Sequence, residues 1–167
     1  MIKFQMAEDF NFDFQFSETF QKRLSGMIID SGLTRKTVQI ECGISKDIFN
    51  RAAKIGVIPG TRSLIKIADY FDVSIEYLVG LTDDEQFIKS AGSVSFLARL
   101  NETIRIRETN NCALANKVGI ARSLFNTWEK YDYIPTIEIL YLLSEPLKVS
   151  IDYLLGRTDI ERYKRRT

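Results

Sequence analysis

Val73-Ser74-Ile75-Glu76-Tyr77-Leu78-Val79-Gly80-Leu81-Thr82-Asp83 returns as Val149-Ser150-Ile151-Asp152-Tyr153-Leu154-Leu155-Gly156-Arg157-Thr158-Asp159, a shift of 76 residues. The same shift aligns residues 20–83 with 96–159 without a gap. Of these 64 positions 20 are identical, where ordinary composition predicts about four. The matches fall in ordered blocks. Phe20, Arg23, Leu24 and Ile28 recur as Phe96, Arg99, Leu100 and Ile104; Gly43-Ile44 as Gly119-Ile120; Phe49-Asn50 as Phe125-Asn126; Ile58-Pro59 as Ile134-Pro135. A repeat of this period means two copies of one folded unit, here residues 17–90 and 91–167.

Apolar spacing gives each copy five helices. Phe20, Leu24, Met27 and Ile28 form one buriable stripe. Thr34 can cap a second helix ending near Gly43, and Ser45 a third running to about Ile55, with Ile48, Phe49 and Ala52 inward. Thr61 can cap a fourth helix carrying Leu64, Ile65, Ala68 and Phe71, and Ser74 a short fifth ending at Gly80. The second copy predicts helices near 94–107, 111–118, 121–130, 137–145 and 150–155, with Pro146 ending or kinking the fourth early. Between the copies, Thr82-Asp83-Asp84-Glu85 reads as a helix start that Ala91-Gly92-Ser93 breaks. So short a linker would fix the mutual orientation of the two copies.

Upstream the period changes. Ile2, Phe4 and Met6, then Phe10, Phe12, Phe14 and Phe16, alternate with polar residues. Period two predicts one or two strands, a short β-hairpin arm over residues 1–16. Such an arm would dock on a helical domain, pair with its counterpart in a second chain to give a homodimer, or stay mobile.

The composition is 45% hydrophobic and 27% charged, with no histidine and two distant cysteines, Cys42 and Cys112, outside any metal-spaced cluster. Without histidine the commonest general base and zinc ligand are missing. No Gly-rich phosphate loop or nucleophile elbow occurs. The expectation is a non-enzyme with no cofactor and no metal. No apolar run matches a bilayer and no signal peptide opens the chain, so a cytoplasmic protein with no membrane partner is expected. The net charge is +1, modest for a nucleic-acid binder. It is unevenly placed: residues 1–19 balance to −3, 20–90 to +1 and 91–167 to +3, with five basic residues between Arg157 and Arg166 that could reach a phosphate backbone.

With the helices placed, Leu114-Ala115-x-x-x-Gly119-Ile120-Ala121-x-x-x-Phe125-Asn126-x-Trp128-Glu129, followed by Pro135, resembles the helix-turn-helix of the lambda-repressor-like (Xre-type) DNA-binding family. The Val149–Asp159 ending is similar to the fifth-helix ending of many members. The first copy shares that ending, but Ala52-Ala53 stand where the family has Trp-Glu. The resemblance covers about four fifths of the chain. It implies an all-α fold, two tandem five-helix lambda-repressor-like domains beyond the N-terminal hairpin arm, and duplex DNA as partner.

A helix can lie in the major groove and read base edges with its exposed side chains. The outward faces of the two third helices are then Ser45, Lys46, Asp47, Asn50, Arg51 and Lys54, and Arg122, Ser123, Asn126, Thr127 and Lys130. Arg or Lys suits guanine, Asn suits adenine, and Ser and Thr suit either. Arg35, Lys36 and Asn111 open the second helices, where backbone N–H groups can hold phosphates; the family usually has Gln at the positions of Arg35 and Asn111. Trp128 and Glu129 fit packing and local hydrogen bonding better than base contact. Residues 35–66 balance to +5 and the aligned 111–142 to zero. The expectation is a transcriptional regulator, a repressor, reading an imperfect palindrome because the two faces differ. The rival is a protein-interaction module that keeps the fold with weak or no DNA binding.

Overall fold

A computed structural model of the protein describes residues 12–161 and Arg165. Among these residues are ten helices and no strand: α1 Phe12–Asp30, α2 Arg35–Cys42, α3 Lys46–Ile55, α4 Thr61–Phe71, α5 Ile75–Val79, α6 Phe96–Ile106, α7 Asn111–Val118, α8 Ser123–Tyr131, α9 Ile137–Leu147 and α10 Ile151–Leu154. No helix is long and apolar enough to cross a membrane. The chain divides into two compact units. One contains Phe12–Phe87 together with Arg165, and the other begins at Ile88. Each carries five helices.

The first unit corrects the reading of residues 12–16. They are the first turns of α1, not part of a hairpin arm; the rest of the expected arm, residues 1–11, lies outside the described residues. Phe12, Phe16, Phe20, Leu24 and Ile28 are all buried, and a spacing of four keeps them on one helical face. Phenylalanine at every second position contains a four-residue spacing as well. A continuous helix buries that face and satisfies its own backbone, whereas a lone two-stranded ribbon is marginal in water. The Phe12 and Phe16 rings lie 4.6 Å apart.

Thr34, Ser45 and Ser74 cap α2, α3 and α5, each side chain accepting from an amide three residues on. Thr61 does not cap α4. Gly60 holds that position and has no side chain to make a capping bond; its carbonyl accepts from Ser63 and Leu64 N–H at 2.9 and 3.0 Å. Thr61 becomes the first helical residue and is buried. Leu24, Phe49, Leu64, Ile67, Ile75 and Leu78 complete the core with no exposure.

In the second unit Trp128 is buried, 5.7 Å from the Phe96 ring and 4.8 Å from that of Phe125. Helix α9 does not stop before Pro146 but runs through it to Leu147. The proline stands so near the end that it deletes one intrahelical bond at most. The Arg107 guanidinium then donates to the Leu147 carbonyl at 2.9 Å, satisfying one of the open acceptors of that last turn. The expected helix at Thr82–Glu85 is absent, and Thr82–Ser95 is irregular. Thr82 Oγ1 accepts from Asp84 N–H at 3.2 Å and Asp84 Oδ1 from Gln86 N–H at 3.0 Å. Such side-chain bonds offer the backbone an alternative to the helix.

The most repeated block forms a clamp. Arg23 on α1 lies 4.2 Å over the Tyr77 ring and donates to the Thr82 carbonyl and the Asp83 carboxylate, both at 2.6 Å. Arg99 on α6 lies 4.3 Å over the Tyr153 ring and donates to Asp159 at 2.9 Å. A stacked, hydrogen-bonded guanidinium ties each first helix to the end of its own unit.

Candidate nucleic-acid interface

In each unit the helix-turn-helix pair occupies corresponding positions in the chain, α2–α3 in the first and α7–α8 in the second. Phe49, Ala52 and Ala53 bury one side of α3, and Phe125 and Trp128 one side of α8. Opposite those residues Lys46, Asp47, Arg51 and Lys54 are exposed, with Asn50 half-buried. Ser45 sits just ahead, its hydroxyl occupied as the cap of α3. Arg122, just ahead of α8, and Ser123, Asn126, Thr127 and Lys130 on it are all exposed. Arg35 and Lys36 are exposed in the first turn of α2, and Asn111, half-buried, opens α7. Of these expected readers all are exposed except Asn50 and Asn111, which are half-buried.

One assignment is corrected. Ile48, expected inside, is 44% exposed and lies between Asp47 and Phe49 on the outward side. Ala53 takes the buried place instead. The signal was in the sequence: Phe49, Ala52 and Ala53 already make an i, i+3, i+4 face without Ile48. An exposed isoleucine among basic residues suits a thymine methyl group. Sequence reasoning also missed Tyr131 and Tyr133, 65% and 53% exposed at the end of α8.

Helix α3 is tied down at both ends. Ahead of it, Gln39 and Lys66 side chains donate to the Ile44 and Gly43 carbonyls, the latter at 2.9 Å. Behind it, Ser17, Gln21 and Ser25 of α1 donate to the carbonyls of Gly56 (2.7 Å), Lys54 and Ala53 (3.2 Å). Gly56 is in the left-handed region, φ 71°, and a Cβ there would meet the Ser17 carbonyl oxygen at 2.7 Å. Only glycine fits that close approach. Of the two acids in the stretch 35–66, Glu41 accepts from the Tyr70 hydroxyl. That bond, with burial, pushes the phenol up to about 12.

Helix α8 starts differently. Ala121 stands where Ser45 stands in the first copy and has no oxygen to cap with. The helix begins two residues later, at Ser123, with Arg122 as a cap that makes no side-chain bond. Leu124 and Phe125 N–H reach back only three residues, to Ala121 and Arg122 carbonyls at 3.1 and 3.2 Å. That is a tight 3₁₀-like first turn. The Thr127 hydroxyl donates to the Ser123 carbonyl at 3.1 Å, leaving its lone pairs outward. Asp132 closes the helix in the left-handed region at φ 47°, the position of Gly56. At the start of α7 an open pocket of about 580 Å³ brings Asn111 and Arg122 together with Asn101, Arg105, Asn110 and Cys112. A helix N-terminus flanked by guanidinium groups is suited to an anion such as a backbone phosphate. Arg105 there is held bidentate by Glu102 at 2.7 and 2.9 Å, which leaves Arg122 as the better placed of the two.

Residues 96–160 match the family described as the bacteriophage CI repressor helix-turn-helix domain. The chain is also similar to YobD of Bacillus subtilis (strain 168), an uncharacterized HTH-type transcriptional regulator, with 33% identity over 64 residues. That alignment covers 38% of this chain, and the chain spans a little over half, 57%, of the relative's length. No solved structure matches at a significant level. Helix order, caps, the buried face of α8 and the match over 96–160 agree: the second copy is a helix-turn-helix domain of the lambda-repressor-like family.

Proposed function

We propose that the protein is a sequence-specific duplex-DNA-binding transcriptional regulator, acting as a repressor, with α3 and α8 as its two recognition helices. The observation that carries this is the pair of outward helix faces. Lys46, Arg51 and Lys54 on one and Arg122, Asn126, Thr127 and Lys130 on the other are exposed opposite buried aromatic residues. The family of residues 96–160 supports the reading. The repressor role is the reading suggested by the likeness of residues 96–160 to the bacteriophage CI repressor domain. Because the two faces differ in sequence, the preferred operator is an imperfect palindrome. Arg35, Lys36 and Asn111, at the starts of α2 and α7, hold phosphates on either side.

The test is binding to generic duplex DNA against salt. Phosphate contact releases counterions, so affinity must fall steeply as salt rises. Selection from random duplexes then yields the operator. The zero charge balance of residues 111–142 favours a second reading for that domain, a protein-interaction module with weak or no DNA binding; absence of binding even at low salt decides for it. Pairing of two chains through residues 1–11 is a separate proposal. Light scattering on a chain lacking them shows an unchanged mass if it is wrong.

A further inference from the structure

We propose that Arg165 is a built-in ligand of the first helical domain, supplying the arginine that this domain lacks at position 81. The comparison of the two copies carries it. In the second copy Asp152 is wholly buried and is paired by Arg157, itself only 6% exposed in its side chain. The same loop recurs in the first copy. Leu81 N–H donates to the Glu76 carbonyl at 2.8 Å, as Arg157 N–H donates to that of Asp152 at 2.9 Å. Glu76 is as buried as Asp152, with no exposure. Position 81, however, holds a buried leucine, which can pair with no carboxylate.

A buried carboxylate needs a cation or several hydrogen bonds to remain charged. Arg165, in the same compact unit as Glu76, provides the cation. Its Nη2 donates to Glu76 Oε1 at 2.5 Å and its Nε approaches Oε2 at 3.4 Å, in the fork geometry that carboxylates prefer. The Arg165 side chain is 12% exposed. Repeating the helices kept the acid in both copies and the neighbouring arginine in one. The first domain is completed from 89 residues along the chain. Of the five basic residues between Arg157 and Arg166, at least these two therefore neutralise buried acids rather than offer charge to a phosphate.

The test is hydrogen exchange on the full chain. Arg165→Ala is expected to speed exchange of the α5 and Leu81–Thr82 amides on the order of a hundredfold, with the α10 amides unaffected. Leu81→Arg in the Arg165→Ala background, which copies the second domain's arrangement, restores protection. If Arg165→Ala does not fold, Glu76→Gln with Arg165→Ala must, since the buried negative charge is then gone. Unchanged protection in Arg165→Ala, or failure of that double variant to fold, overturns the proposal.

Discussion

The two units hold α3 and α8 by opposite means. The first is fastened from outside: a 19-residue α1 extends back past Phe16 and lays Ser17, Gln21 and Ser25 against the end of α3, while Gln39 and Lys66 secure the turn before it. The second is fastened from inside, by Trp128 between Phe96 and Phe125. Its first helix is only 11 residues long. Leu97, Ala115 and Leu142 occupy the places of Gln21, Gln39 and Lys66, so those bonds have no donor side chain there. Small Ala52 and Ala53 let α1 approach closely in one unit; an indole fills the space in the other. One fold has thus steadied its third helix through hydrogen bonds in one copy and through aromatic volume in the other.

The sharpest way to break this contrast is Phe16→Ala. Removing a buried ring costs about 3–5 kcal/mol, and the loss should fall on the first unit alone. Calorimetry that shows one transition moving and the other staying in place confirms the separation; both moving together refutes it. Next comes the pair Lys46→Ala with Arg51→Ala, set against Arg122→Ala with Thr127→Ala. The first pair should weaken DNA binding more, about tenfold or beyond, given about 1–3 kcal/mol for a good base contact and the +5 balance around it. A gel-shift series in the reverse order reverses the assignment of the dominant reader. Ala121→Ser then gives α8 the cap that α3 has, adding about 1 kcal/mol to the second unit; a chemical-denaturation midpoint that does not rise removes the explanation offered for its late start.

Two smaller effects finish the series. The Arg99 guanidinium, and after it the Ser90 hydroxyl, hold the Asp159 carboxyl below the usual carboxylate range. A folded pKa below the unfolded one contributes stability above the ordinary carboxylate range and loses it as pH falls through the folded value. Thermal scans between pH 6 and pH 3 should therefore show less acid loss in Asp159→Asn than in the parent; identical slopes contradict this. Burial pushes the Cys42 thiol up to about 11, whereas Cys112 is exposed. Iodoacetamide at neutral pH should label Cys112 and spare Cys42, read by mass spectrometry.

Much of this was legible in the sequence because the signals were local. Thr34, Ser45 and Ser74 cap as expected, and Gly43 and Gly80 close their helices in the left-handed region. The outward faces of α3 and α8 followed from three-and-four spacing. What failed depended on partners distant in the chain or on competition between readings. Period two and period four coincide in Phe12–Phe16, and only continuity with Phe20 decides between them. Thr82 and Asp84 are good helix starters that turn on their own backbone instead. Ile48 lies outside the core because Phe49, Ala52 and Ala53 already make up the buried side of α3. The Glu76–Arg165 pair spans 89 residues, and no spacing rule reaches that far.

In the second unit the way in and the way out run side by side. Ser90 N–H donates to the Arg157 carbonyl at 2.8 Å, the Thr158 hydroxyl to that of Ile88 at 2.6 Å, and a Cβ on Gly156 would strike the Val94 carbonyl oxygen at 2.0 Å. A unit whose ends meet is topologically a closed ring with a single cut. Such a ring can be opened elsewhere, in the exposed turn at Glu108–Thr109 for instance, and joined across the old cut with few extra residues. It can also be copied head to tail without disturbing its interior, which is what 20 shared positions in register across 64 residues record.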